Sequence, residues 1–102
     1  MLYVAVFDAK ENISRETINL ERKEWIERGF NEKFKLRCKA FKRYEVLGIS
    51  PLRIFFVIDT DDQGAINLLT THFGDTCNSI TYPVIDREIE DALKEDHAVI
   101  GG

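Results

Sequence analysis

Leu2-Tyr3-Val4-Ala5-Val6-Phe7 and Ile54-Phe55-Phe56-Val57-Ile58 decide the fold of this chain. Both runs are short, apolar and rich in β-branched or aromatic residues, as buried strands are. Alternate side chains of a strand point to opposite sides of its sheet. Aligning the two runs places Leu2, Val4, Val6, Ile54, Phe56 and Ile58 on one face and Tyr3, Ala5, Phe7, Phe55 and Val57 on the other. Helices can cover one of these sets. The second then needs a partner subunit, a ligand, or both.

Outward from these strands, apolar positions at Ile18, Trp25, Ile26, Phe30, Phe34, Cys38 and Phe41 recur in steps of mostly three, four and seven, the mark of a helical stripe. Ser14 is placed to cap it, and Gly29 ends one helix or bends a longer one. Residues 33–39 also alternate polar and apolar with period two; the continuing stripe favours helix over residues 30–41. Tyr44 to Ile49 reads as a second strand, joined through Ser50-Pro51-Leu52 to the third, Arg53 to Asp59. Asp59-Thr60-Asp61-Asp62 precedes a helix from about Gln63 to Phe73, stopped by Gly74. A fourth strand spans Ile80 to Ile85, with Pro83 pointing to a sheet edge, and a short helix from Asp86 carries Ile89, Ala92 and Leu93. The order is βαββαβ with an added C-terminal helix, an α+β, ferredoxin-like arrangement with four antiparallel strands and helices on one face. It implies a single domain over residues 1–97 and a flexible tail over 98–102.

Composition narrows the functional classes. The 102 residues are 44% hydrophobic with a net charge of -4, enough for a core and without general attraction for nucleic acid or anionic lipid. No stretch approaches the roughly 20 apolar residues that cross a bilayer, and the opening run is too short for an export signal. Cys38 and Cys77 stand outside any CxxC spacing and read as reduced thiols of a cytoplasmic protein.

Val46-Leu47-Gly48, Asp59-Thr60-Asp61-Asp62, Ala65-Ile66-Asn67-Leu68-Leu69 and Tyr82-Pro83-Val84-Ile85 together resemble small uncharacterised archaeal and bacterial proteins of the dimeric α+β barrel superfamily, over roughly Tyr44 to Leu93. The resemblance implies a ferredoxin-like monomer whose open sheet face meets that of a second copy. Members of that superfamily include cofactor-independent monooxygenases, muconolactone isomerases and ligand-sensing modules. None of their catalytic motifs transfers to a residue here.

Candidate sites follow from residue types. Tyr3, Phe7, Phe55, Val57 and Tyr82 are expected to form a homodimer interface or to line a pocket for a small apolar or aromatic ligand. His72 is the candidate proton-transfer group if that cavity belongs to an isomerase or oxygenase. No metal or cofactor is expected. His72, Asp75 and Cys77 lack zinc spacing, and the calcium-loop-like run from Asp59 has Thr70 where a bidentate carboxylate is required. Lys33, Lys35, Arg37, Lys39, Lys42 and Arg43 form a basic group best read as a solvated face balanced by nearby acids. RNA binding through the sheet is disfavoured, because Arg53-Ile54-Phe55-Phe56-Val57 lacks the glycines of the RNA-recognition motif.

Overall fold

The structure, a computed structural model, describes residues 1–48 and 51–100. Eight elements follow one another: β1 (Leu2–Ala9), α1 (Arg15–Glu27), α2 (Phe30–Arg37), β2 (Ala40–Glu45), β3 (Arg53–Asp59), α3 (Gln63–His72), β4 (Cys77–Val84) and α4 (Ile89–Ile100). The strands form one antiparallel sheet in the order β2-β3-β1-β4, and α1, α2 and α3 supply the core residues that cover one of its faces. This is the ferredoxin-like α+β fold. Pro83 lies in edge strand β4. Among the described residues no helix is long and apolar enough to cross a membrane.

Local chemistry sets the helix limits. Ser14 accepts a hydrogen bond from the Thr17 N–H at 3.1 Å and opens α1, whose buried Ile18 and Trp25 lie two turns apart. Gly29 takes a positive φ of 74°, a conformation costly for other residues, and separates α1 from α2. The helical stripe therefore breaks, and Phe34 turns into the core from a separate short helix. Cys38 and Phe41 are not helical, contrary to the expectation for residues 30–41. Cys38 is the cap of α2, and Phe41 pairs with Ile58 across the β2–β3 ladder. The period-two pattern beginning at Lys33 is a true strand signal only for its continuation past Lys39. There the hydrogen bonds of β3's edge offset the end of the helix.

Strand β2 consequently runs from Ala40 to Glu45 instead of Tyr44 to Ile49. Past the strand Val46 still donates its N–H to the Arg53 carbonyl at 3.0 Å, Leu47 and Gly48 form a turn with Gly48 at φ 71°, and Ile49 and Ser50 lie outside the described residues. Strand β4 starts earlier than expected, at Cys77, because the Lys10 N–H reaches the Thr76 carbonyl at 2.8 Å and draws that segment onto β1. Buried Thr60 joins two helix ends: its hydroxyl donates to the Arg37 carbonyl at 2.6 Å and accepts from the Asp62 N–H at 3.0 Å. Asp62 then caps α3 through the Gly64 N–H at 2.9 Å. Helix α4 begins at Ile89, later than Asp86, and runs to Ile100. It leaves Ile89 and Leu93 83% and 71% exposed. The molecule measures 55 × 31 × 19 Å with a radius of gyration of 16.7 Å, above the about 13 Å of a compact chain this long. Among the described residues, α4 places no side chain in the core.

Candidate functional site

Pairing register decides which strand residues meet. Tyr3 lies opposite Ile58, Ala5 opposite Phe56 and Phe7 opposite Ile54. These residues share the covered face, where Phe7 is 3% exposed and stacks edge-on against Phe56 with ring centroids 5.4 Å apart. Tyr3 packs against the same core. The other face carries Leu2, Val4 and Val6 of β1, Phe55 and Val57 of β3, and Ile80, Tyr82 and Val84 of β4. Two of the expected site residues, Tyr3 and Phe7, are thus core residues, whereas Phe55, Val57 and Tyr82 do share the open face. The expected facing of β1 is inverted. A one-residue change of register moves an entire strand's side chains to the opposite side of its neighbour's pattern.

A charged pair carries the missing signal. Asp8 is in phase with Val4 and Val6, and Arg53 with Phe55 and Val57. Arg53 Nε donates to Asp8 Oδ1 at 2.6 Å and Nη2 to Oδ2 at 3.2 Å, a two-pronged bond at the rim of the open face. The Asp8 carboxylate holds the Arg53 guanidinium above its ordinary pKa, through the hydrogen bond first and its charge second. Opposite charges across a strand pair reveal register where uniformly apolar runs cannot. The centre of the open face is otherwise apolar, with Ile80 and Tyr82 58% and 50% exposed, while β2 adds Lys42 opposite Val57 and Tyr44 opposite Phe55, and β4 adds Asn78 opposite Asp8.

Behind the sheet, on the covered side, lies a second feature that the strand patterns did not signal. A cavity of about 290 Å³ opens between α1, α2, α3 and the β2–β3 half of the sheet. Trp25, Phe34, Phe41, Phe56, Leu69 and Phe73 form its apolar wall. The Trp25 indole N–H donates to Asn31 Oδ1 at 3.0 Å, which satisfies the one polar atom of that ring. The cavity exists because β2 directs Phe41, Arg43 and Glu45 to the helix side. Two charged side chains there cannot pack as a core would, and they stay at the mouth with Arg22 of α1. Arg43 Nη2 donates to Glu45 Oε1 at 2.7 Å, and Arg22 Nη2 to the same oxygen at 3.2 Å. The Arg43 hydrogen bond holds the Glu45 carboxyl below its ordinary pKa.

The remaining sequence candidates have structural posts. His72 Nε2 lies 2.9 Å from the Glu21 carbonyl oxygen, and its ring packs against Trp25, Phe30 and Phe73. It ties α3 to α1 and does not line the cavity. Cys38 and Cys77 are free thiols, and burial raises both their pKa values. Among the described residues no three His, Cys, Asp or Glu side chains gather to hold a metal. Most of the basic group is paired with acids: Arg37 faces Asp62 at 3.7 Å, Lys39 faces Asp61 at 2.9 Å, and Arg43 faces Glu45. Lys35 pairs with Glu32.

No protein-family model matches the sequence, nor does any curated protein. Solved structures do resemble it. One is a dimeric ferredoxin-like protein from an uncultured marine organism, 15% identical, with 86% of this chain and 96% of that one covered at a TM-score of 0.53. Another is a protein from Deinococcus radiodurans described as a putative antibiotic biosynthesis monooxygenase, 12% identical over the same shares at a TM-score of 0.50. At such identities the likeness establishes the ferredoxin-like fold.

Proposed function

We propose that this chain is a homodimeric small-ligand-binding protein, in which the open sheet face joins two copies and the cavity behind the sheet takes the ligand. One observation carries the reading: the sheet is apolar on both sides, yet its own helices cover only one. Val4, Val6, Phe55, Val57, Ile80 and Tyr82 form an apolar field with the Asp8–Arg53 pair at one rim and Lys42 of edge strand β2 at another. An apolar, aromatic centre within a polar margin is the composition of a stable protein interface. A second copy is the occupant that suits it, since a two-fold contact sets the same rows of side chains against each other. This contact is best dry. The ligand belongs instead in the cavity, whose volume and apolar wall suit a small molecule. The nearest alternative built on the open face, RNA binding, loses Tyr3 to the core and has on that face Lys42 and an Arg53 already paired with Asp8.

Light scattering at micromolar concentration tests the assembly and is expected to give twice the chain mass. A stable monomer rejects the dimer. A thermal-shift screen of small apolar and aromatic compounds is expected to find stabilising ligands, a tenfold excess over Kd contributing about 1.4 kcal/mol. Stabilisation that survives disruption of the dimer places the ligand behind the sheet rather than between the copies.

A further inference from the structure

If the cavity behind the sheet holds a ligand, as proposed, its lining narrows that ligand to one chemical class. We infer that the cavity takes an amphipathic monoanion, a carboxylate with a small alkyl or aryl body, held at its charged end by Arg22 and Arg43. Three observations converge. First, the wall is aromatic and aliphatic, so the body of the ligand must be apolar. Second, the mouth holds two guanidiniums and a single carboxylate, Glu45, the only acid among the lining residues, so one positive charge there is uncompensated. Third, both guanidiniums lean on the same oxygen, Oε1 of Glu45. Each guanidinium carries five N–H donors. Arg22 uses one nitrogen on Asn19 and one on Glu45, and Arg43 uses one on Glu45, so donors remain on both.

The surroundings strengthen these remaining donors. A smaller void of about 40 Å³ adjoins the cavity and shares Arg22, Arg43, Phe56 and Phe73 with it. The arginines are therefore flanked by apolar surface on both sides, where hydrogen bonds to an anion gain strength from reduced competition with water. Burial and the neighbouring Arg43 pull the Arg22 pKa below its ordinary value. A second anion would relieve that repulsion. Glu45 occupies part of the place such an anion would take and acts as an internal competitor. It keeps the two like charges together when no ligand is present.

Trp25 is the only tryptophan and lines the cavity, so its fluorescence reports occupancy directly. The full chain is titrated with octanoate, octan-1-ol and octylammonium below their aggregation limits. Octanoate is expected to bind about tenfold or more tighter than octan-1-ol, the advantage of hydrogen bonds to charged groups, with octylammonium weakest. The double variant Arg22→Gln/Arg43→Gln is expected to lose the preference for octanoate and keep its affinity for octan-1-ol. Glu45→Gln removes the competitor and is expected to tighten octanoate several-fold. That gain cannot arise from damage to the fold. Equal affinity for octanoate and the alcohol, or weaker octanoate binding in Glu45→Gln, would overturn the anionic class and leave the ligand-binding reading standing. If no probe alters Trp25 emission, both fall.

Discussion

The covered and open faces of this sheet are built from the same kinds of residue, yet they meet different fates. On β3, Ile54, Phe56 and Ile58 are buried beneath helices while Phe55 and Val57, one residue out of phase, have only neighbouring side chains for cover. Hydropathy does not separate the two sets. What separates them is the supply of helix: α1, α2 and α3 contribute Ile18, Trp25, Phe34, Ala65 and Leu69 to one side, and α4, among the described residues, contributes no buried side chain to either. A two-sided apolar sheet with a single helical layer is half of a structure. The covered face stabilises the monomer, and under the proposed function the open face drives association.

Substitutions on the two faces sharpen that contrast. The largest effect is expected on the covered side: Phe7→Ala empties a fully packed position and should destabilise the fold by about 3–5 kcal/mol, read from the urea midpoint. Should it cost less than about 1 kcal/mol, Phe7 is not the core residue described. On the open side, Phe55→Asp is expected to weaken dimerisation at least a hundredfold in analytical ultracentrifugation and leave the far-UV spectrum of the monomer native. An unchanged sedimentation coefficient breaks the comparison at its centre. Tyr82→Ala, nearer the edge on β4, should cost the dimer about 1–2 kcal/mol and the monomer little.

The smallest effect concerns acid stability. Glu45 has a folded-state pKa depressed below its ordinary 4.5, chiefly by the Arg43 hydrogen bond. Its contribution is therefore present above the ordinary value and is lost as pH falls through the lower, folded one. Because the Glu45 side chain is still 38% exposed and solvent screens the pair, Glu45→Gln should flatten the acid limb of stability only slightly, by a few tenths of a kcal/mol in paired denaturation curves at about pH 3 and pH 6.

Much of the architecture was legible in the residues. Alternation and turn chemistry gave the strand order, and Asp62, Gly29 and Ser14 marked helix ends through their own side chains or backbone freedom. The stretch from Phe30 to Glu45 was less readable, because its apolar spacing satisfied periods of two and 3.6 at once. Phe34 belongs to a helix and Phe41 to a strand, and the switch between them depends on the β3 edge waiting for a partner. The candidate site divided in the same way. Phe55, Val57 and Tyr82 follow from alternation within a strand, while Tyr3 and Phe7 belong to the core and the cavity had no local signature. Arg22, Arg43 and Glu45 are scattered charges in the linear chain, and nothing local announces that they converge.

By itself, the order of amino acids determined the elements outside residues 30–45 and the surplus of apolar strand surface. These depend on contacts between near neighbours and on a period that each segment carries within it. Only the tertiary structure decided which side of β1 faces the helices and that three charges guard an aromatic cavity. Both are relations between strands and helices distant in sequence, set by pairing register and by what each face has available to pack against.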